Sequence, residues 1–211
     1  MEDFEFLEKH FGGWWCGVKF GRNEGHSAPL ASHRMRFCEA VTASRIRPII
    51  LTPKLMTCPG GARSLGWNNG RETIAKTMAE KAGMDVDIAR KVIENSPRMK
   101  AVADVVTVGT YKTPDIVISY AQPEVAMKVI REWQALSGGL LPMHVSGFMS
   151  VCGAVAARSF CTGRICISFG CPDSREYGKI GRDRLVIGIP MRQVARLRRR
   201  ARAGTAANAV D

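Results

Sequence analysis

A chain of 211 residues that is 45% apolar and 24% charged has the material for a full hydrophobic core, which excludes a disordered, collagen-like or coiled-coil chain. Two entries stand out against that ordinary background: 31 Lys and Arg against 19 Asp and Glu, giving a net charge of +12, and seven cysteines. The first residues, Met1 to Phe6, are acidic and carry no apolar core of a secretory signal, so the expected compartment is the cytoplasm, where thiols stay reduced.

Phe4, Leu7 and Phe11 recur at helical spacing and predict a short amphipathic helix ended by Gly12-Gly13. Trp14 to Phe20 reads as a strand, Gly21 to Ser32 as a loop, Met35 to Ile46 as a helix, and Ile49-Ile50-Leu51 as a brief buried strand. Arg71 to Lys81 and Val86 to Glu94 predict two helices, separated by Gly83, with Asp85 capping the second and Pro97 ending it. Asp104 to Thr110 and Asp115 to Tyr120 are rich in Val, Ile and Thr, and their short link predicts a hairpin or neighbouring strands. Glu124 to Leu136 returns to helix. Arg164 to Phe169 and Arg184 to Ile189 read as strands, with a polar loop or short helix between them. Strands and helices alternate throughout, so the expected class is α/β or α+β, a single domain with one mixed β-sheet flanked by helices.

From Gln134 to Ala157 no Asp, Glu, Lys or Arg occurs, a length that would span a bilayer. Gly138, Gly139, Pro142, His144 and Gly147 interrupt it, so the stretch is expected to be buried in a protein core rather than to cross a membrane. Its small residues suit close packing against another backbone or a cofactor. The C-terminus is different again. Six arginines, Arg192, Arg196, Arg198, Arg199, Arg200 and Arg202, fall within eleven residues. We therefore place the domain at residues 1–190 and an arginine-rich helix or tail at 191–211. Such a cluster can attract nucleic acid through counterion release, but no nucleic-acid-binding motif accompanies it, and nucleic-acid binding is the less favoured reading.

Two strings can carry chemistry. Cys58-Pro59-Gly60-Gly61-Ala62-Arg63-Ser64-Leu65-Gly66-Trp67 offers converging backbone amides and a cation, a cradle for an anionic group at Gly60, Gly61 and Arg63, although it matches no nucleotide-binding fingerprint. Phe169-Gly170-Cys171-Pro172-Asp173-Ser174-Arg175 repeats the Cys-Pro step after a strand, with Arg175 a second candidate for an anion. Tight turns packed on the core explain both strings equally simply. Together with Trp15 to Phe20, Phe37-Cys38-Glu39-Ala40, the strand Asp115 to Ile118 and Gly188-Ile189-Pro190, these strings resemble domain-of-unknown-function family 169. The resemblance runs from about Trp14 to Pro190. It implies a single-domain fold shared with archaeal and bacterial proteins, and it carries no activity.

The cysteines divide by setting. Cys38 lies near a helix start, Cys58 and Cys171 precede prolines, and Cys152 adjoins Gly153, whereas Cys16, Cys161 and Cys166 sit in apolar, strand-like surroundings. Four thiolates can hold a four-iron four-sulfur cluster or a zinc ion. The intervals of 20, 94 and 19 residues contain no C-x-x-C pair, so only the fold can gather them. The expectation is an iron-sulfur cluster on Cys38, Cys58, Cys152 and Cys171, in a redox, cofactor-handling or accessory role. Zinc is less favoured, since a chain this long needs no structural zinc to fold. Inert burial and a nucleophilic role for Cys58 or Cys171 are the alternatives. Of the four histidines, His10, His26, His33 and His144, the last has the most apolar sequence surroundings and is the one to test for a functional role.

Overall fold

The structure, a computed structural model, describes residues 2–21, 28–68, 70–100, 103–111 and 113–207. His26 and half of the Gly21 to Ser32 loop lie outside the described residues. Among the described residues, six strands form one sheet: β1 (Cys16–Gly21), β2 (Ile49–Leu51), β3 (Val105–Gly109), β4 (Ile116–Ala121), β5 (Cys166–Ser168) and β6 (Leu185–Pro190), in the order β2-β3-β1-β4-β6-β5. Every pairing between these strands is antiparallel. The expected mixed sheet is thus an antiparallel one, with parallel pairing confined to the isolated bridges Leu30–Ile50 and Met35–Met56.

The expected pairing of β3 with β4 is not made. β1 lies between them, with Val18 opposite both Val108 and Ile116. Asp115 explains how the sheet accepts this insertion: its backbone amide donates to the Val18 carbonyl, and its carboxylate accepts from Lys19 Nζ at 2.9 Å and from the Phe20 amide at 2.8 Å. A charged residue at the head of β4 therefore grips β1 directly. Nothing in the short link after Thr110 encodes a third strand.

Alternation along the strands divides the core in two. On one face Phe4, Leu7 and Phe11 of α1 (Glu2–Phe11), Ala126 and Val129 of α2 (Pro123–Ser137), and Val194 and Leu197 of α3 (Met191–Ala207) pack on Val117, Ile167, Ile187 and Ile189. The opposite face of the same strands, with Cys16, Val18, Ile116, Ile118 and Tyr120, carries the remaining helices. These are α4 (Phe37–Ala43), α5 (Pro59–Ser64), α6 (Arg71–Ala82), α7 (Val86–Asn95), α8 (Arg158–Thr162) and α9 (Pro172–Glu176), with a π-helix at Ser150–Ala157. Asp85 caps α7 as its sequence position predicts, accepting from the amides of Asp87 and Ile88.

The arginine-rich end is part of this architecture. Val194 and Leu197 of α3 are buried, and burial of two such side chains is worth roughly 1.5–3 kcal/mol each. Arg198 reaches Glu2 and Asp3 of α1 at 2.9 and 3.0 Å, and Arg200 reaches Glu132 of α2 at 2.8 Å. Arg192 donates to the carbonyls of Thr162 and Gly163. Several of the clustered arginines thus hold α3 against its neighbours, which reduces the basic surface available to a polyanion. These are partly exposed pairs. Arg198→Ala is expected to cost no more than about 1 kcal/mol, with a loss that shrinks as salt is raised, as denaturant titrations at low and high ionic strength would show.

The uncharged stretch splits into two parts with different fates. Residues 138–147 form a largely exposed loop, His144 included, so the expected burial fails there. Residues 150–157 are wholly buried and wound as a π-helix, a form concentrated at functional sites. It enters from Met149, whose backbone is left-handed (φ 49°). It lies directly on β6 because Gly188 has no side chain: a Cβ there would stand 2.5 Å from Val155 Cγ1. No described helix is long and apolar enough to cross a membrane.

Candidate functional site

The helical face of the sheet holds a partly open cavity of about 100 Å³, room for several water-sized groups. Cys38, Cys58, Cys152 and Cys171 all line it. The four positions picked from their turn-like settings are therefore brought to one place from four separate elements. Cys38 sits in the first turn of α4. Cys58 and Cys171 immediately precede α5 and α9, and in each case the following proline occupies the first helical position, where its missing N–H is no loss. Cys152 comes from the π-helix. All seven cysteines are free. Of the other three, Cys16 and Cys166 are buried on β1 and β5, whereas Cys161 is exposed on α8, a correction to its expected place in an apolar strand.

Particular contacts bring these elements together. Gly60 faces Met149, and a Cβ on it would lie 2.7 Å from Met149 Cγ. The Gly61 amide donates to Cys58 Sγ at 3.3 Å. Gly178 lies against Cys38, where a Cβ would be 3.0 Å from Cys38 Cβ and 2.7 Å from the Ser174 carbonyl oxygen. The buried Tyr120 hydroxyl rises from the sheet to donate to the Cys38 carbonyl at 3.0 Å. Tyr120→Phe should remove that support for about 1 kcal/mol, seen as a fall of about 2–4 °C in Tm.

The cavity is apolar inside and charged at its edge. Phe37, Ile74, Met78, Phe148 and Val151 supply much of the wall. At the rim Asp173 accepts from Lys81 at 2.9 Å and lies 3.6 Å from Arg36, whose guanidinium stacks 3.7 Å from the Tyr177 ring centroid. Burial first, then the negative charge of Cys171 and Cys58, pushes the Cys38 thiol up to about 12. Burial is also the leading cause at Cys58 and Cys152; the Gly61 amide opposes it at Cys58. A nucleophilic cysteine needs the opposite shift, so the nucleophile reading loses Cys58.

Gly60 and Gly61 line the cavity, but Arg63 does not: it is buried elsewhere in the helical layer. Arg175 is also absent from the wall. Its guanidinium donates to the carbonyls of Phe169, Gly181 and Arg184, pinning the loops on either side of α9. The anion cradle expected across Gly60, Gly61 and Arg63 is thus divided between two places. Arg36, Lys81, Met149 and Gly178 were not legible as site residues, since each acts through contacts distant in sequence. Among the described residues, no three His, Cys, Asp or Glu side chains are placed to hold a single metal ion.

A family model described as "Uncharacterised ArCR", DUF169, matches residues 16–199. The chain belongs to DUF169. The DUF169 match takes in β1 through most of α3, including all four cavity cysteines and several arginines of the C-terminal helix. An uncharacterised protein of the archaeon Methanocaldococcus jannaschii is 24% identical over 165 residues, covering 74% of this chain and 71% of its own. No solved structure matches.

Proposed function

We propose that this DUF169 protein binds an iron-sulfur cluster, of the four-iron four-sulfur type, in a redox, cofactor-handling or accessory role. The observation that carries the reading is the convergence of Cys38, Cys58, Cys152 and Cys171 on one largely apolar cavity. Four thiols in mutual electrostatic contact are an unfavourable arrangement once they ionise, and a cationic guest relieves it. The space favours a cluster over zinc. Zinc draws its sulfurs to about 2.3 Å from a single point, whereas a cubane offers each cysteine its own iron and asks the four to surround a larger volume.

The surroundings match that chemistry. A four-iron cluster on four thiolates is a net anion in its common oxidised state, and Arg36 and Lys81 stand at the rim with only Asp173 between them. The Gly61 amide already donates to sulfur at Cys58, the kind of contact that tunes a cluster's potential. Cys38 and Cys152 are buried and Cys58 and Cys171 half-buried, so exchange with a partner would occur on the side of the two Cys-Pro turns. Thiols kept reduced in a cytoplasmic setting suit the same role.

The test is reconstitution with ferrous iron and sulfide in the absence of oxygen, followed by visible absorbance and electron paramagnetic resonance, on seven single Cys→Ser variants. Serine at 38, 58, 152 or 171 should lower cluster content, with wild-type loading retained at 16, 161 and 166. Loading that is indifferent to the first four substitutions would refute the assignment.

A further inference from the structure

Beside the cysteine cavity, on the surface of α9, lies a groove lined by Pro172, Glu176 and Ile180 and by three cations, Arg175, Lys179 and Arg182. Pro172 lines both hollows, so the Cys171-Pro172 turn stands between them. Glu176 is the one carboxylate among the groove's lining residues, against three positive charges. The Arg175 guanidinium is met by backbone carbonyls rather than by an acid. Lys179 and Arg182 are exposed and form no ion pair among the described residues, while the neighbouring Asp183 is taken by Arg184 at 3.4 Å. Arg36 and Lys81 are already committed to Asp173 at the cavity rim, so the groove's excess is additional to theirs. Aromatic side chains are exposed on either side of the same turn. Phe169, two residues before Cys171, is 56% exposed, and Tyr177, directly after α9, is 39% exposed with its ring against Arg36.

We propose that this groove docks a small acidic protein that carries one electron at a time, an inference that rests on the cluster reading and names the partner of that site. An acidic face complements Arg175, Lys179 and Arg182, and such complementarity steers the encounter and fixes its orientation more than it adds affinity. Phe169 and Tyr177 supply aromatic anchors of the kind that protein interfaces favour. The footprint, one short helix and its flanking turns, is of the small size that transient redox encounters use. Docking there sets the partner beside the half-buried Cys171, whose sulfur would be bonded to the cluster. The step itself is a single electron transfer. The reduced carrier loses one electron, the cluster gains it, and no covalent bond is made or broken.

The test mixes the full chain, reconstituted with iron and sulfide, with fully reduced flavodoxin, an acidic one-electron carrier. Stopped-flow absorbance follows the flavin semiquinone as it forms, and reduced methyl viologen, a small cation, serves as a second reductant. The flavodoxin rate should fall about tenfold or more as salt shortens the Debye length to about 3 Å at 1 M, and the viologen rate should not fall. Lys179→Asn combined with Arg182→Gln should slow flavodoxin about tenfold at low salt, with iron and sulfide loading and the viologen rate unchanged. Asparagine suits position 179, where the backbone is left-handed (φ 51°). Lys9→Gln combined with Arg131→Gln, exposed on α1 and α2 across the sheet, removes the same net charge and should leave the flavodoxin rate within about twofold of wild type. Should the groove variant load poorly, Arg182→Gln alone decides by the same measurement. Equal slowing by both pairs, or a full rate in the groove variant, overturns the docking site. A cluster that viologen reduces and flavodoxin does not overturns it too, while leaving the cluster standing; protein that loads no cluster removes both.

Discussion

Raising the pH of the metal-free protein from 9 toward 12 should collapse its stability, and loading the cysteine site should remove part of that sensitivity. Burial holds the Cys16 and Cys38 thiols up to about 12, while an unfolded thiol ionises near 8.5 to 9. A group whose folded pKa is raised contributes stability in full below its unfolded pKa and loses it as the pH climbs toward the folded one. Across that window the unfolded chain gives up protons that the folded chain retains. Each such thiol then costs about 1.4 kcal/mol per pH unit, so Cys16 and Cys38 together remove roughly 3 kcal/mol per unit. By pH 11 the loss approaches the whole stability of a typical domain. The two cysteines are separable by function. Cys16→Ala should flatten the pH profile without touching cluster loading, whereas Cys38→Ala should flatten it and lower loading. Denaturant midpoints from pH 8 to 11 read the effect; a profile unchanged in both variants would remove burial of these thiols as its cause.

Replacement of Gly178 by alanine should damage fold and site together. The new methyl would stand 2.7 Å from the Ser174 carbonyl oxygen, 3.0 Å from Cys38 Cβ and 3.2 Å from the Cys38 carbonyl oxygen. Two of these three are backbone atoms, so no rotamer change relieves the clash. Relief requires α4 to withdraw from α9, which draws Cys38 away from Cys171. Thr42 Oγ1, which donates to the Gly178 carbonyl at 2.5 Å, ties the same two segments and would be strained by the same movement. Overpacking of this kind costs about 1–3 kcal/mol and on occasion more. Gly188→Ala makes a useful comparison. Its methyl would meet Val155 Cγ1 at 2.5 Å, forcing the π-helix off the sheet, so it threatens Cys152 in the way that Gly178→Ala threatens Cys38. Both variants should lose Tm and cluster loading. Gly83→Ala, at an open left-handed helix end, should lose only stability.

The pattern of what the sequence disclosed follows from the range of the interactions involved. Helices such as α1 and α7 were legible because Phe4, Leu7 and Phe11, or Asp85 and its apolar successors, act within a few residues of one another. The insertion of β1 beside β4 was not, since the grip of Asp115 on Lys19 and Phe20 spans nearly half the chain. Cys38, Cys58, Cys152 and Cys171 could be grouped because each stands beside a helix start, a proline or a glycine, the places where a chain turns and presents a side chain. Cys161 was misplaced because Phe160 and Cys161 look apolar in a list, whereas on a five-residue helix they face outward. Arg63 and Gly61 were adjacent enough to suggest one cradle. Helical geometry separates them, since residues two apart on a helix point to different sides.

The cysteine site is the centre of the account, and its most direct measurement is the iron and acid-labile sulfide content of protein isolated without oxygen. A brown protein carrying iron and sulfide in equal amounts, approaching about four of each per chain, is the predicted result. Colourless protein, free of iron and unable to take up iron and sulfide together on reconstitution, would contradict it and leave the four thiols as a buried apolar wall.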